Sequence, residues 1–189
     1  DRAFSSCESL VSINIPQNID SIGEAILQHC DSLQSIVVDS ENKTYDSRDN
    51  CNAIIKSGNT LVAGCSNSVI PNGVETLGYG AFSGCETLNS IVIPDSITEI
   101  GAYAFCDCPA LTEVVIPDSV EYIEERAFNN SGLTSIEVPE TVKNLNGVFC
   151  GCEKLKVATV KGKLDDYRAD CIFPFKDCPA LETLTFLDC

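Results

Sequence analysis

Hydrophobic positions recur along this chain with a period of about 23 residues, a length typical of solenoid repeats. The segment 81–100 follows the pattern Ala-Phe-x-x-Cys-x-x-Leu-x-x-Ile-x-Ile-Pro-x-x-Ile-x-x-Ile, and nearly the same pattern starts again at Ala104. Aligning the copies gives one column of Phe4, Leu27, Phe82, Phe105, Phe128, Phe149 and Phe175, and a second of Leu10, Leu33, Leu88, Leu111, Leu133, Leu155 and Leu181. Most of the chain is therefore predicted to be one structural unit, repeated.

The Leu-x-x-Ile-x-Ile motif within this period is typical of a leucine-rich-repeat solenoid, in which each turn of chain adds one strand to a parallel sheet. Ile70, Ile93 and Ile116 follow one another at equal intervals, and the next two intervals are shorter by a single position. The Pro after the second Ile is expected to end each strand, because Pro has no N–H to donate. We predict a β-dominated solenoid with a parallel sheet on its concave face and short helical or irregular return segments.

Two intervals are longer than the period that the other copies keep, Val38 to Ile70 and, by less, Val160 to Phe186. The insertion, at about 39–68, contains two apolar runs on either side of Ser57-Gly58-Asn59, within the segment 51–65. Gly and Asn tolerate the positive φ of a tight turn, so this segment is predicted to form a β-hairpin that projects from the array.

Composition favours a single leucine-rich-repeat domain over residues 1–189. The sequence has no run of 18 apolar residues, so no membrane insertion by this segment is expected. The net charge of −16 repels nucleic-acid phosphates, so nucleic acid is excluded as a partner. The chain opens and closes in mid-pattern without a polar cap, and we expect it to be a fragment of a longer protein.

Twelve cysteines are the most unusual feature of the composition. Six of them follow the Phe column by three residues and are predicted to be small buried hydrophobes, namely Cys7, Cys30, Cys85, Cys108, Cys152 and Cys178. Cys51 and Cys65 lie symmetrically about Gly58, which leaves two alternatives, a disulfide across the hairpin or a pair of packed thiols. The Cys-x-Cys pairs lack the spacing of a zinc site, so no metal is predicted.

Catalytic chemistry has little to build on in this sequence. The single histidine, His29, occupies the repeat position of Gly84, where a surface turn is expected, and one histidine in such a position leaves no Ser-His-Asp or Cys-His arrangement. Acidic residues are numerous, but those that follow the Pro column suit turns, and a carboxylate pair for glycoside hydrolysis is the weaker interpretation. We predict that the protein is not an enzyme and uses no cofactor.

The segment 81–101 resembles the BspA-like, Treponema pallidum-type leucine-rich repeat of bacterial surface proteins, and the likeness extends over nearly the whole chain. The insert at 45–55 resembles one common in members from gut Bacteroidetes. The resemblance implies an exported or cell-surface bacterial protein that binds host matrix proteins, other bacteria or unknown partners without catalytic residues. Departures from the repeat at 129–132 and at Lys161 predict a local irregularity.

Side chains alternate between the two faces of a strand. In the predicted strands, the residues that lie between inward-pointing residues therefore point to solvent on the concave side. The candidate binding face consists of Val37, Val69, Val92, Val115, Glu113, Glu137, Ser90, Ser135 and Thr159. The exposed valines have two interpretations, simple β-propensity or a contact surface for a protein or peptide ligand. Aromatic residues for stacking sugars are absent from these columns.

We therefore predict a non-catalytic protein-interaction or adhesion module. Two alternatives stay open, a structural spacer that presents another domain and a carbohydrate-binding module. The sequence does not predict the oligomeric state.

Overall fold

The computed structural model describes residues 1–162 and 173–187, which wind into a β-solenoid of about 7 turns with almost no helix. Each turn is called a coil below and is named by its residue in the Phe column. The described strands are β1 (Ser12–Ile15), β2 (Ser35–Val38), β3 (Tyr45–Asp46), β4 (Ile54–Lys56), β5 (Thr60–Ala63), β6 (Thr76–Leu77), β7 (Glu99–Ile100), β8 (Tyr122–Ile123), β9 (Ser135–Val138), β10 (Val157–Val160) and β11 (Thr183–Phe186). One 3-10 turn, Arg48–Asn50, lies in the insertion. The predicted solenoid is confirmed.

From Phe82 onward the Phe column forms a continuous stack through the interior, as the repeat predicts, whereas Phe4 is exposed and Leu27 lies in a separate buried cluster of the first coils. We call this stack the Phe spine, and it runs through Phe82, Phe105, Phe128, Phe149 and Phe175, with successive ring centroids 5.1–5.5 Å apart and ring planes within 15° of parallel. Inward residues of the Ile and Leu columns surround it and are almost fully buried. Like residues of successive coils therefore pack directly on one another.

Each coil turns sharply on either side of its spine residue. The positions two before and two after it have positive φ, as at Gly80 and Gly84, and at Arg126 and Asn130. The spine residues themselves hydrogen-bond to the next coil, as when Phe105 N donates to Ala127 O at 2.7 Å. In the described coils these corners are turns rather than helix, so the irregular form of the predicted return segments is the one found there.

The strands are distributed differently from the prediction. On the predicted concave face, parallel pairing is found in β1–β2 and in β9–β10–β11, whereas the intervening segments 90–93 and 113–116 are not strands. In these middle coils, β6, β7 and β8 of the return segments form the parallel sheet instead. This sheet adds further hydrogen bonds between the coils, for example from Gly101 N to Leu77 O at 2.8 Å. Of the two predicted forms of the return segments, helix is not found in these coils, and the irregular chain is interrupted by the two-residue strands.

The insertion forms the predicted hairpin, but the prediction that it projects from the array is wrong. β4 and β5 pair antiparallel around Gly58, with an irregularity between Ile54 and Ile55, and β5 then pairs parallel with β6. Ile54, Ile55 and Leu61 are fully buried. The hairpin lies within the stack because apolar side chains on both of its faces require cover, and it starts the six-stranded sheet β3–β4–β5–β6–β7–β8.

The cysteine ladder lies beside the Phe spine, and the thiols of Cys30, Cys85, Cys108, Cys152 and Cys178 donate to backbone carbonyls. Cys108 Sγ donates to Phe82 O at 3.2 Å and Cys152 Sγ donates to Phe128 O at 3.2 Å, so each of these two thiols reaches back to a spine carbonyl. Ser131 fills the ladder position in the Phe128 coil and is also buried. Burial is found for Cys30, Cys108 and Cys152, whereas Cys85 and Cys178 are half-buried and Cys7, on the first described coil, is exposed, contrary to the prediction. The second long interval, after Val160, falls partly in 163–172, outside the described residues.

Candidate binding face

The exposed valines are the most apolar feature of the predicted binding face. Val69, Val92 and Val115 come from three successive coils and are 64%, 81% and 81% exposed. Their chain neighbours Ile70, Ile93 and Ile116 point inward and are only 5–6% exposed. Alternation is thus kept even where the backbone is not a strand. We call Val69, Val92 and Val115 the valine row.

The fourth predicted valine, Val37, does not continue this row directly. Asn52 accepts a hydrogen bond from Ile36 N at 2.6 Å and donates from Nδ2 to Gln34 O at 2.9 Å. On its other side, Asn52 O accepts from Ser68 Oγ, and Val69 N donates to Cys51 O at 2.9 Å. The insertion therefore bridges the two coils, and Val37, which is 50% exposed, lies on the far side of this bridge.

The polar residues of the predicted face lie where the repeat places them. Ser90, Glu113, Ser135 and Glu137 are exposed and Thr159 is half-buried. In the register of β9 and β10, Glu137 lies opposite Thr159. Glu137 Oε1 also pairs with Lys161 Nζ at 2.5 Å, and this hydrogen bond raises the pKa of the lysine. A salt bridge therefore lies at the Glu137 end of the valine row.

The return side of the same coils is polar. A shallow groove there is lined by Asp118, Ser119, Glu121, Glu140, Thr141, Val142 and Lys143. Lys143 hydrogen-bonds to Glu121, which raises the lysine pKa, and its ammonium lies 4.8 Å from the centroid of the Tyr122 ring. Ser119 Oγ donates to Ile97 O at 2.8 Å. These polar groups bind one another, so the groove offers less free bonding capacity than its composition suggests.

Two tyrosines at the turns just before the spine Phe residues form a pair that was not predicted from the sequence. The rings of Tyr79 and Tyr103 lie 5.3 Å apart at an interplanar angle of 46°, and Arg126 Nη1 donates to Tyr103 Oη at 3.3 Å. Tyr79 and Tyr103 occupy different repeat positions, three and two residues before the spine Phe, so no column in the sequence shows them. They lie outside the predicted binding face.

Cys51 and Cys65 are both buried and both free thiols in this structure. Cys51 Sγ donates to Ala53 O at 3.7 Å, and Cys65 Sγ accepts from Asn52 Nδ2 at 3.3 Å. Burial raises the pKa of the Cys51 thiol, which favours its protonated form. A disulfide between them stays a prediction.

No described part of the chain brings together three or more His, Cys, Asp or Glu side chains in a metal-binding group. His29 has a φ of 55° and packs against Gly84, which has a φ of 71°. The two residues therefore have the same left-handed turn conformation, as the repeat alignment predicts. Within residues 1–162 and 173–187, no helix has the length and hydrophobicity to cross a bilayer.

The repeat that forms the stacked coils matches a known protein family. The model for the BspA type leucine-rich repeat region matches residues 1–57 and 61–182, in 6 copies. The chain belongs to this family. No curated protein matches the sequence.

Solved structures of bacterial leucine-rich proteins show the same fold as this BspA-type chain. A leucine-rich cell surface protein from Faecalibacterium prausnitzii is 28% identical with a TM-score of 0.82, and the match covers 100% of this chain and 51% of that one. A leucine-rich repeat protein from Bacteroides ovatus is 27% identical with a TM-score of 0.61, covering 98% and 39%. The leucine-rich repeat protein of T. pallidum is 22% identical with a TM-score of 0.53, covering 93% and 72%. The chain spans about half the length of the F. prausnitzii protein.

Proposed function

We propose that this BspA-type chain is a non-catalytic protein-interaction module of an exported or cell-surface bacterial protein. The observation that carries the proposal is the valine row, in which Val92 and Val115 are each 81% exposed on coils whose interiors are fully packed. Apolar side chains held outward on a rigid frame, with polar residues at their edge, fit a protein or peptide ligand. The location follows the F. prausnitzii match, which is described as a cell surface protein.

We propose adhesion as the specific form of this protein interaction. A solenoid presents a long, ordered surface without a deep cavity, and such surfaces suit recognition of extended partners. The same rigidity supports a second candidate function, a spacer that presents another domain, because the stacked rings of the Phe spine join the coils from Phe82 to Phe175 in one continuous core. A spacer needs no apolar outer row, whereas a binding module does.

The experiment compares two double variants with the unchanged chain. Val92→Lys with Val115→Lys places two charges on the valine row, and Thr98→Lys with Asn144→Lys places two at exposed positions on the return side. Each chain is applied to an array of purified secreted and extracellular-matrix proteins and to a glycan array. We expect partners on the protein array whose binding is lost in the valine variant and kept in the control.

Three results would count against the proposal. Equal binding of the valine variant to every partner found would remove the valine row as the contact surface. Binding to no protein by the unchanged chain would favour the spacer. Hits on the glycan array that survive both variants would favour a carbohydrate-binding module at another surface.

A further inference from the structure

The outer segments that surround the valine row carry charge of only one sign. Segments 66–72, 89–95, 112–118 and 134–140 contain no Lys or Arg. They contain five acidic residues, Asp95, Glu113, Asp118, Glu137 and Glu140, all of them exposed. An apolar row with acidic edges is complementary to an apolar surface with basic edges.

Only part of this acidic charge is compensated within the described structure. Lys161 pairs with Glu137 and also interacts with Asp118 and Glu140, so it acts at one end of the row. None of the ion pairs formed by the described residues includes Asp95 or Glu113. These two carboxylates belong to the Val92 and Val115 segments, so the most exposed valines have the least compensated charge beside them.

The spacing of the row indicates which backbone conformation fits it. Each coil contributes one valine, and successive coils lie between about 4.7 Å apart, the spacing of hydrogen-bonded strands, and the 5.1–5.5 Å that separates ring centroids in the Phe spine. An α-helix advances about 5.4 Å per turn, so side chains one turn apart would follow the valines one for one. An extended strand places same-side residues about 6.6–6.8 Å apart and would slip by about 1 Å or more at each step.

We propose that the valine row binds an amphipathic α-helix of another protein, one that carries Lys or Arg on both sides of its apolar stripe. The apolar stripe of the partner helix lies along Val69, Val92 and Val115. The basic residues of the partner helix face Asp95, Asp118 and Glu113. The inference rests on the proposed function, because it names the chemistry of the partner at the same face.

The test uses a designed 18-residue peptide of Leu and Lys that forms an amphipathic helix, titrated into the chain at low salt. Methyl NMR of the valines reports binding at the row even when affinity is weak. Three comparison peptides test the contributions of charge, residue order and helical conformation separately. One has Glu in place of Lys, one has the same composition in a scrambled order, and one has two central Leu replaced by Pro. We expect shifts at Val92 and Val115 with the Leu and Lys helix, and affinity at least about tenfold weaker for each comparison peptide, because a central Pro disrupts a helix and like charges repel.

Charge variants of the protein locate the basic residues of the partner. Asp95→Asn with Glu113→Gln should weaken the affinity for the helical peptide about fivefold, as expected for the loss of two exposed charge pairs. The matched control, Glu99→Gln with Glu124→Gln, removes the same charge from the return side and should change affinity by less than about twofold. Equal losses in the two variants would overturn the inference, because attraction would then be to net charge rather than to this face.

Failure of the inference is distinguishable from failure of the proposed function. If the proline peptide shifts the valine methyls as strongly as the helix does, or if no peptide shifts them, the helical, basic partner is wrong. Protein-array partners lost in the Val92→Lys, Val115→Lys variant would still support the binding module in that case. If those partners persist in the variant as well, the proposed function at this face falls too.

Discussion

The Phe spine and the valine row lie on the same coils, one inside and one outside, and differ in what they contribute. Phe105 and Phe128 are fully buried and stack at 5.1 Å, whereas Val92 and Val115 are 81% exposed. Both sets recur at the repeat period. Periodicity alone therefore does not show whether an apolar column stabilises the fold.

The difference follows from what each column has to do. A single coil has too little interior to fold alone, so its stability comes from burial against neighbouring coils, and the spine supplies much of that burial. The valine row gains almost nothing from folding, because its side chains stay in water. An apolar residue that recurs without burial is explained by β-propensity or by binding.

The largest effect is expected from breaking the spine. Phe105→Ala would leave a cavity between two stacked rings and should lower the free energy of unfolding by about 3–5 kcal/mol. Urea unfolding followed by circular dichroism measures the change. Phe105→Leu is the matched control, since Leu27 occupies this column naturally, and should cost less than about 1.5 kcal/mol. A loss below about 1 kcal/mol for the alanine variant would mean that the stack is not the core of the fold.

An intermediate effect is expected from the thiols beside the spine, and it depends on pH. Burial raises the pKa of Cys152 to about 12 from its ordinary value of 9.0. The folded state therefore holds the thiol proton more tightly than the unfolded state does. This contribution is fully present below pH 9 and is lost as the pH rises toward 12.

Comparison with Cys152→Ser isolates this effect, because the neighbouring coil accommodates Ser131 at the same ladder position. Between pH 9 and 11, in the presence of a reductant, the unchanged chain should lose up to about 1.4 kcal/mol per pH unit more than the variant. Thermal unfolding at several pH values measures both chains. Parallel loss in the two would show that the Cys152 thiol is not coupled to folding.

The repeat predicted the interior of the solenoid because burial depends on spacing. The Phe and Leu columns had to stack once the period was constant. The Gly, Asp and Asn at 84, 107, 130 and 151 are residue types that tolerate the left-handed conformation found there, but only the surface turn at His29 and Gly84 was predicted. The return-side sheet could not be predicted in the same way. Thr76, Glu99 and Tyr122 occupy one strand position there and share no chemical character, since the backbone does the pairing.

The candidate face was predictable only in part. Alternation gave the outward direction of Val92 and Val115 correctly, because an inward apolar neighbour on each side fixes it. The separation of Val37 depends on hydrogen bonds of one side chain, Asn52, within an insertion that follows no repeat. No periodic signal shows such a contact. Charge compensation by Lys161 likewise depends on which coils become neighbours.

The smallest effect on stability is expected from the valine row itself. Val92→Thr with Val115→Thr keeps the branched shape and removes apolar surface that is already in water, so the free energy of unfolding should change by less than about 0.5 kcal/mol. The adjacent inward residues provide the control, since Ile93→Thr with Ile116→Thr would bury two hydroxyls and should cost roughly 2 kcal/mol or more. Urea unfolding compares the two pairs. A loss above about 1.5 kcal/mol in the valine pair, well beyond what exposed substitutions cost, would mean that the row stabilises the fold, and its recurrence would then need no binding partner.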